Sequence, residues 1–466
     1  KKDSGNSAHY TINSSAVATE NTSAGLGTVN SRPIILNSTH FFPQGEATAV
    51  RRWNGTTWRS EAATHKASFL VNGYVAADGP VVWKGNSTTG VSGAVTVARA
   101  KGLSAGAPIA WAADATDMLT YNTAIPIGET TSGITGLYFW SSNGLYVFKT
   151  ASLWNIVQDK AVYLDFGIKD TPDASNGVAA TANNQFLYFN WLFSVERLYG
   201  STLDDVGQGF RGPALPNGRE GKFVSMAFYL NWMFCALDAG ASGTSSVMCY
   251  DGYGWHEIFR APASGMRVRD VAIQSISGAR AKLWIDCGGD MIYITLPLGK
   301  ANPLYDPGVK YQHEGVLISS TIDMGTASKL PKFIRDLTLT SATLNGAAIR
   351  VEVDYQIDDK IGLDGIANWI NVLPFLASPE DTVRIGEGGL TQFRYRLRLE
   401  TDNQLTPADV KGVVPTGFAR SDYRYVWNAR IVVGESMAPG GKRVNRDELD
   451  AWFSEAARFP GRVMMT

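Results

Sequence analysis

Residues 222–259 contain the pattern that most constrains the fold: four short runs, apolar or alternating, separated by turn residues. The predicted strands are Phe223–Leu230, Trp232–Leu237, Ser246–Tyr250 and Trp255–Phe259, with turns at Asp238–Ser245 and Asp251–Gly254. Such short runs with glycine and serine between them are typical of antiparallel strands. Four antiparallel strands within about forty residues form one blade of a β-propeller. This stretch therefore predicts a propeller.

Similar segments recur along the chain at a nearly constant spacing. They begin at Ile134 and near Val178, Val224 and Val271, with offsets of 44, 46 and 47 residues. Each contains an apolar strand, a second strand that opens on an aromatic residue, and an outer hairpin. Periods of about 40 to 50 residues with four strands each indicate propeller blades. Counting back from Ile134 leaves room for more units, so we predict about six blades, within a range of about five to seven.

Turn residues support the same architecture before the first of these segments. Val50–Trp53 and Thr57–Arg59 flank an Asn54-Gly55 turn, and Asn-Gly is a strong hairpin signal because both turn positions need a positive φ. The outer hairpins Trp53–Trp58 and Tyr250–Trp255 look alike, with an aromatic residue on each side of an Asn-Gly or Asp-Gly turn. Further turns are predicted at Asp78-Gly79-Pro80 and Asn143-Gly144.

The pattern changes after residue 296 and predicts a second domain. Three prolines between Pro297 and Pro307 indicate a linker. Longer alternating strands follow, at residues 316–325, 333–344, 347–357, 393–401 and 423–433. Phe393–Glu400 alternates an aromatic residue or leucine with a charge, which predicts a half-exposed strand with one buried face. We therefore predict an all-β chain, with a β-propeller over 46–300 and a β-sandwich over 301–435.

The two ends of the chain differ in sequence pattern from the predicted propeller and sandwich. Residues 1–45 are polar, with strand-like runs at His9–Ile12 and Arg32–Leu36. They are predicted to form either an arm that orders on a neighbouring chain, with Ile34–Leu36 adding to an exposed sheet edge, or the closing strand of the propeller. Residues 436–466 contain a predicted short C-terminal helix with Asn445 as N-cap. The abrupt ends, at Lys1 and Thr466, suggest a fragment.

The charge balance argues against two classes of partner. The net charge is −1 and the pI is near 6.6. Nucleic acids and anionic membranes are bound by clustered excess lysine and arginine. No apolar run reaches the length of about 18 residues that a spanning helix requires. We therefore expect neither a nucleic-acid nor a membrane partner.

Residues with metal or catalytic chemistry do not form recognisable motifs. The five histidines are His9, His40, His65, His256 and His313, and no two of them have the spacing of a zinc site. Gly440–Arg443 lacks the upstream glycine and the Ser or Thr of a phosphate loop and predicts a flexible turn. Four aspartates could suggest calcium, but their spacing favours a solvated hairpin; they are Asp354, Asp358, Asp359 and Asp364. We predict no catalytic, cofactor-binding or metal-binding residues and no enzymatic activity.

Two of the three cysteines attract attention because of their position. If Asp238 lies opposite Ser246, Cys235 falls opposite Cys249 and a cross-strand disulfide is conceivable. Two reduced core cysteines are the favoured alternative. Five glycosylation sequons fall within the first ninety residues, where polar composition produces several by chance; they are at Asn13, Asn21, Asn37, Asn54 and Asn86. Asn54–Trp58 resembles the end of the Asp-box turn of sialidase-type propellers, which is a structural turn.

The stretch from about Gly136 to Val433 is similar to virion structural proteins of tailed bacteriophages, of the minor-tail or tail-associated kind. The residues that carry the resemblance are Gly144–Val147, Tyr250–Gly252 with Gly254–His256, Leu296-Pro297 with Asn302–Leu304, and Thr321–Gly325. Such proteins join a propeller to a β-sandwich. The first 130 residues carry no such resemblance.

The resemblance implies a structural protein in the virion tail or at its attachment to the head. Its partners would be other virion proteins and copies of itself, with a host-surface glycan as a further possibility. The alternative is an extracellular carbohydrate-binding or glycan-cleaving propeller protein, and a cellular scaffold propeller is a third option. A glycan binder should present clustered surface tyrosine or tryptophan beside carboxylates, whereas a structural protein should bury flat patches against its partners.

Overall fold

The computed structural model describes residues 8–12, 18–22, 31–36, 38–61, 66–76, 79–87, 95–101, 124–141, 143–167, 171–207, 220–275, 279–297, 310–322, 331–362 and 368–419. The described part of the chain is nearly all β-structure and consists of a β-propeller followed by a β-sandwich. Residues 298–307 of the predicted linker, the strand at 423–433, Gly440–Arg443 and the C-terminal helix lie outside the described residues. No helix in the described part of the chain is long and apolar enough to cross a membrane.

The first strands form a hairpin and the first propeller sheet. The strands are β1 (Ala8–Ile12), β2 (Ala18–Thr22), β3 (Ile34–Leu36), β4 (Thr39–Phe42), β5 (Gly45–Ala49), β6 (Arg51–Trp53), β7 (Trp58–Ser60) and β8 (Lys66–Ala67). β1 pairs with β2, sheet 1 has the order β3-β4-β6-β7, and β5 pairs with β8. Ile34–Leu36 therefore pairs with β4 of its own chain and forms one edge of sheet 1.

Five more antiparallel sheets follow, each built from strands consecutive in sequence. Sheet 2 contains β9 (Phe69–Val75), β10 (Gly79–Ser87), β11 (Val95–Lys101) and β12 (Ile125–Pro126), and sheet 3 contains β13 (Ile134–Trp140), β14 (Gly144–Lys149), β15 (Leu153–Val157) and β16 (Lys160–Tyr163). Sheet 4 contains β17 (Ala180–Ala182), β18 (Leu187–Trp191), β19 (Ser194–Tyr199) and β20 (Thr202–Asp205). Sheet 5 contains β21 (Lys222–Tyr229), β22 (Trp232–Asp238), β23 (Ser246–Tyr250) and β24 (Trp255–Arg260), and sheet 6 contains β25 (Val268–Gln274), β26 (Lys282–Cys287) and β27 (Asp290–Thr295).

The predicted period corresponds to the first strands of sheets 3 to 6. β13, β17, β21 and β25 begin the four repeated segments. The four strands of sheet 5 lie within one residue of the predicted bounds at each end. The propeller prediction is confirmed, and a count of about six blades stays a prediction.

Buried apolar side chains fill the space between each consecutive pair of sheets. The pairs include Phe41 with Val82 between sheets 1 and 2, Trp83 with Val147 between sheets 2 and 3, Phe148 with Phe189 between sheets 3 and 4, Val195 with Cys235 between sheets 4 and 5, and Phe234 with Leu283 between sheets 5 and 6. Because both faces of the inner sheets are covered in this way, their strands are continuous apolar runs rather than alternating ones.

Arg32, which precedes β3, connects the start of sheet 1 to sheets 5 and 6. Its guanidinium donates to the carbonyl oxygens of Met226 at 3.2 Å and Val271 at 2.8 Å, and to Asp270 Oδ1 at 2.5 Å. It also donates to the Oγ of Ser225. Met226 and Ser225 belong to β21, and Asp270 and Val271 belong to β25. Arg32 thus links the segment before sheet 1 to the first strands of sheets 5 and 6.

The first strands of three sheets share a β-bulge near their beginning. The register skips Thr135 in β13, Val224 in β21 and Arg269 in β25. A bulge bends the strand and redirects the side chains that follow it. In β21 and β25 the residues that follow the bulge are Ser225 and Asp270, the two side chains that accept hydrogen bonds from Arg32. The bulges therefore help to position the groups that contact Arg32.

The register of sheet 5 rules out the conceivable disulfide. Leu237, not Asp238, lies opposite Ser246, so Cys249 faces Phe234 and Cys235 faces Met248. A one-residue difference in register moves side chains to the opposite face of a sheet. Cys235 consequently packs between sheets 4 and 5 and Cys249 between sheets 5 and 6. Both are free and buried, as is Cys287, which confirms the alternative of reduced core cysteines.

The second domain is a sandwich of two antiparallel sheets. Its elements are β28 (Glu314–Ile318), β29 (Lys332–Ser341), β30 (Ile349–Ile357), the 3₁₀ helix η1 (Asp358–Lys360), β31 (Ile370–Phe375), β32 (Glu380–Leu390), β33 (Phe393–Thr401) and β34 (Val410–Ala419). The two sheets have the orders β28-β33-β30-β31 and β32-β29-β34. Leu337 and Leu339 of one sheet pack against Val351, Val353 and Leu397 of the other to form the core.

Candidate functional site

The described histidines lie apart from one another, and the chain's described part contains no group of three potential metal ligands. His40 packs edge-on against Trp53 at 5.4 Å, and burial lowers the pKa of His40. His256 Nε2 lies 3.0 Å from Asp251 Oδ2. His313 Nδ1 lies 2.5 Å from the Thr401 carbonyl oxygen. The side chains of His9 and His65 lie outside the described residues.

The expectation of a solvated aspartate hairpin at residues 354–364 is wrong for Asp354. Its side chain is 4% exposed, and its Oδ2 accepts hydrogen bonds from Arg396 Nε at 2.9 Å and Arg398 Nε at 3.3 Å. Asp358 Oδ1 accepts from the backbone amide of Thr391 at 2.7 Å. Arginines satisfy the carboxylate that calcium would need, so Asp354 is a structural group. The side chain of Asp359 and all of Asp364 lie outside the described residues.

The strand Phe393–Glu400 also departs from its predicted alternation. Arg394 is 1% exposed, and its Nε donates to Gln356 Oε1 at 2.8 Å. The indole of Trp369 lies 4.9 Å from the Arg394 guanidinium and 4.5 Å from that of Arg396. Trp369 lies outside β33, so the alternation within that strand does not reveal that its ring covers these two arginines. The charged face of β33 is therefore partly covered by an aromatic ring.

A cluster of aromatic and charged groups, some buried and some exposed, lies on one face of sheet 4. Tyr188 of β18 lies opposite Arg197 of β19, and Arg197 lies opposite Asp204 of β20, so the three share one face. Tyr199 lies two residues after Arg197 and shares that face. Phe186 lies just before β18, with its ring 5.5 Å from Tyr199 and 6.0 Å from Tyr188.

A turn and a hairpin hold these groups in place. Asn183 Oδ1 accepts hydrogen bonds from the backbone amides of Gln185 at 2.9 Å and Phe186 at 2.7 Å. This Asx turn fixes the backbone that carries the Phe186 ring. The hairpin between β19 and β20 turns through Gly200, whose φ is +57°. The rigid turn and hairpin present Tyr199 with 59% of its surface exposed.

An ion pair borders the aromatic rings. Arg197 Nη2 donates to Asp204 Oδ2 at 2.8 Å, and the guanidinium lies 4.9 Å from the centre of the Phe186 ring. The hydrogen bond to Asp204 raises the pKa of Arg197, with a smaller opposing effect of burial. The side chains are 26% and 47% exposed. We call Phe186, Arg197, Tyr199 and Asp204 the Tyr199 surface.

Sheet 5 continues this region at its outer hairpin. The Tyr250 ring lies 6.4 Å from that of Tyr188, and Tyr250 Oη donates to the Gly252 carbonyl oxygen at 3.0 Å. Asp251 Oδ1 accepts from the backbone amides of Tyr253 and Gly254, both at 2.8 Å. Tyr253 is 99% exposed at the tip of the turn. An exposed tyrosine thus lies on the sheet next to the Tyr199 surface.

The similarity between this hairpin and the one in sheet 1 is confirmed. Asn54 Oδ1 accepts from the backbone amides of Thr56 at 3.0 Å and Thr57 at 2.8 Å. Gly55 and Gly252 have φ values of +101° and +97°. In each hairpin two aromatic residues pair across the strands, Trp53 with Trp58 and Tyr250 with Trp255. The turn is a four-residue Asx turn that serves structure.

No protein-family model matches the chain, and no curated protein matches it. Among solved structures, the chain is similar to the extracellular domain of the two-component system BT4673 from B. thetaiotaomicron, with 10% identity over 75% of this chain and a TM-score of 0.41. A second extracellular domain from that organism, of BT3049, has 10% identity over 85% of this chain and a TM-score of 0.39. The Trypanosoma rangeli sialidase in complex with the inhibitor DANA has 9% identity over 88% of this chain and a TM-score of 0.33.

The chain spans 44% of the BT4673 domain, 56% of the BT3049 domain and 94% of the sialidase. These are likenesses of strand arrangement, and none of them bears on the chemistry of the Tyr199 surface.

Proposed function

We propose that the chain is a carbohydrate-binding propeller protein that works outside a cell or on a virus particle and performs no catalysis. The observation that carries this proposal is the Tyr199 surface. Its exposed tyrosine ring offers an apolar face for the C–H groups of a sugar ring. The adjoining Arg197 and Asp204 supply donors and acceptors for neighbouring hydroxyls. Tyrosine beside a carboxylate is the arrangement expected of a glycan binder.

The carboxylates near this surface favour binding over glycoside cleavage. Cleavage by the usual route needs two carboxyl groups, one of which is a general acid with a raised pKa. Asp204 is held in an ion pair with Arg197. Burial raises the pKa of Asp251, but hydrogen bonds from Gly254, Tyr253 and His256 outweigh it and lower the pKa overall. Asp251 therefore stays ionised and does not supply a general acid.

Titration of the purified chain against a panel of neutral and acidic oligosaccharides tests the proposal. Tyr199→Ala and Asp204→Asn should each weaken binding by about fivefold or more, since one stacked ring or one charged hydrogen bond contributes about 1 to 3 kcal/mol. Tyr74→Ala is the matched control, because Tyr74 lies on sheet 2 and is 60% exposed. Absence of binding to every glycan, or equal weakening by Tyr74→Ala, would contradict the proposal. Glycan turnover abolished by Asp204→Asn would overturn its non-catalytic part.

A second candidate is a structural protein of a tailed-phage virion, in contact with other virion proteins and copies of itself. It is supported by the sequence resemblance and by the order of a propeller followed by a sandwich, which that resemblance implies. The two functions are compatible, since a tail protein could carry a host-glycan surface. Electron microscopy and mass spectrometry of the native source test this candidate. Recovery of the chain only as a free protein would count against it.

A further inference from the structure

Sheet 6 has one strand fewer than its neighbours in the part of the chain that is described. Sheets 1 to 5 each have four strands, whereas sheet 6 has three, and β27 lies at its outer edge. Ile292 and Ile294 of β27 pack into the core that sheet 6 shares with sheet 5. Met291 and Tyr293 are 55% and 46% exposed on its other face. β27 is thus packed through one face and has one edge unpaired among the described strands.

The chain also contains a hairpin that belongs to none of the six sheets. β1 and β2 pair with each other from Ala8 opposite Thr22 to Ile12 opposite Ala18. They form a separate two-stranded sheet, with no third described strand paired to either. An isolated two-stranded hairpin is marginally stable in water. The hairpin therefore needs a further strand or surface to become stable.

The sequence after β27 does not favour a further strand. Pro297, Pro303 and Pro307 follow it closely, and proline removes the backbone donor that strand pairing uses. The hairpin is a better source, because β1 carries Tyr10, Thr11 and Ile12, residue types that favour strands.

The position of Arg32 sets how far the hairpin can reach. The connection from Thr22 to Arg32 can span about 30 Å when extended, and Arg32 contacts Asp270 of sheet 6. Two strand spacings separate β25 from β27, about 10 Å. The hairpin could therefore reach β27 of its own chain, yet among the described strands it pairs only with itself.

We propose that β1 of one copy adds to the edge of β27 of a second copy and completes sheet 6 as its fourth strand. Addition of a strand to an open edge satisfies the backbone groups of both edges at once. The partner of this surface is the N-terminal hairpin of another copy of this chain. This interaction does not depend on carbohydrate binding, and it gives the hairpin the third strand that it lacks.

Crosslinking of two variants tests the proposal. Full-length Thr11→Cys protein is mixed with full-length Tyr293→Cys protein under mild oxidation. The native cysteines are buried and should not compete. We expect a disulfide-linked species of twice the 50.4 kDa chain mass in the mixture. The control replaces the second variant with Tyr74→Cys, because Tyr74 is a similarly exposed tyrosine on sheet 2. The linked species between the two variants should then be absent.

Two further measurements separate copy-to-copy exchange from closure within one chain. A double variant that carries both Thr11→Cys and Tyr293→Cys should form linked oligomers whose fraction rises with protein concentration. An internal disulfide formed equally at every concentration, with no product in the mixture, would overturn the proposal in favour of intramolecular closure. Sedimentation of a chain that lacks residues 1–22 should show loss of self-association, and an unchanged oligomer would also overturn it.

Discussion

Arg32 Nη2 donates a hydrogen bond of 2.5 Å to Asp270 Oδ1, although 238 residues separate the two in sequence. Asp270 also accepts a hydrogen bond from Ser225 Oγ at 2.6 Å, so one carboxylate joins the segment before sheet 1 to β21 and β25. Both side chains of the ion pair are about half exposed, 51% for Arg32 and 48% for Asp270. The pair gains strength from its additional hydrogen bonds to backbone carbonyls, which an isolated surface ion pair lacks.

Arg32→Ala should lower the free energy of unfolding of the propeller by about 1 to 3 kcal/mol, since several charge-assisted hydrogen bonds are lost at a half-exposed site. Denaturant titration followed by tryptophan fluorescence measures this change. Arg335→Ala is the control, because Arg335 is 61% exposed and pairs with the adjacent Asp336. It should change stability by less than about 0.5 kcal/mol. A double-mutant cycle with Asp270→Asn that shows no coupling would contradict the assigned role of the pair.

Gly177→Ala should be strongly destabilising, by about 3 kcal/mol or more, because overpacking adds to a backbone penalty. Gly177 has a φ of +69°, and a methyl group there would overlap the fully buried ring of Phe148. Gly200→Ala is the matched control, since Gly200 has a φ of +57° and open space around it. That variant should lose only about 1 kcal/mol. Thermal unfolding of both variants measures the difference, and equal losses would show that crowding at Gly177 is unimportant.

The three thiols should be unreactive toward a thiol reagent at pH 8 in the native protein, and all three should react in denaturant. Burial and the nearby Asp251 raise the pKa of Cys249 to about 12, and burial raises that of Cys235 well above its usual value of 9.0. Tyr74→Cys provides a reactive positive control. Rapid labelling of the native wild-type chain, or a mass two hydrogens lower than expected for three thiols, would contradict this prediction.

The same thiols should make the propeller less stable in alkali. Their pKa values are higher in the folded state than in the unfolded state, so the native state favours the neutral thiol. The contribution of the neutral thiols to the free energy of unfolding is complete below about pH 9. It is lost as the pH rises toward about 12, because the thiols of the unfolded chain ionise at a lower pH than those of the folded chain. Cys249→Ala should reduce this alkaline loss, measured as the midpoint of denaturation against pH. An unchanged pH dependence in Cys249→Ala would show that other groups cause it.

Asp354→Ala should lower the free energy of unfolding of the sandwich by about 2 to 4 kcal/mol, because removal of one partner leaves Arg396 and Arg398 unpaired at a mostly buried site. Arg350→Ala is a suitable control in the same strand, since Arg350 is 38% exposed and pairs with Glu352 and Glu400. It should cost less than about 1 kcal/mol. Denaturant titration measures both variants. Similar losses for the two would mean that the burial of Asp354 has little energetic importance.

The strands of sheets 3 to 6 could be predicted because apolar runs, aromatic residues and glycine turns recur with one period. The paired Asx turns at Asn54 and Asp251 were also visible, since a local sequence motif determines a local turn. β2, Ala18–Thr22, was not predicted because its residues are polar and small, without an apolar alternation. Pairing with β1 is what defines it, and pairing is not a local property.

The side chains that meet on the candidate surface are set by the strand register, which the local sequence pattern does not reveal. The assumed pairing of Asp238 with Ser246 was wrong, because the hairpin places Leu237 opposite Ser246. The favoured prediction of reduced core cysteines did not depend on that register and is confirmed. The Tyr199 surface has a partial sequence signal, since Arg197 and Asp204 are symmetric about the Gly200 turn. Its Phe186 ring comes from the neighbouring strand connection, and only the folded sheet brings it to Tyr199.

The distance in sequence between Arg32 and Asp270 also governs the order of events during synthesis. A ribosome adds about 5 to 20 residues per second, so Asp270 emerges roughly 10 to 50 seconds after Arg32. Throughout that interval the Arg32 guanidinium lacks its two acceptors on β25, the Asp270 carboxylate and the Val271 carbonyl oxygen. The segment before sheet 1 therefore acquires its full set of contacts only after β25 has been translated.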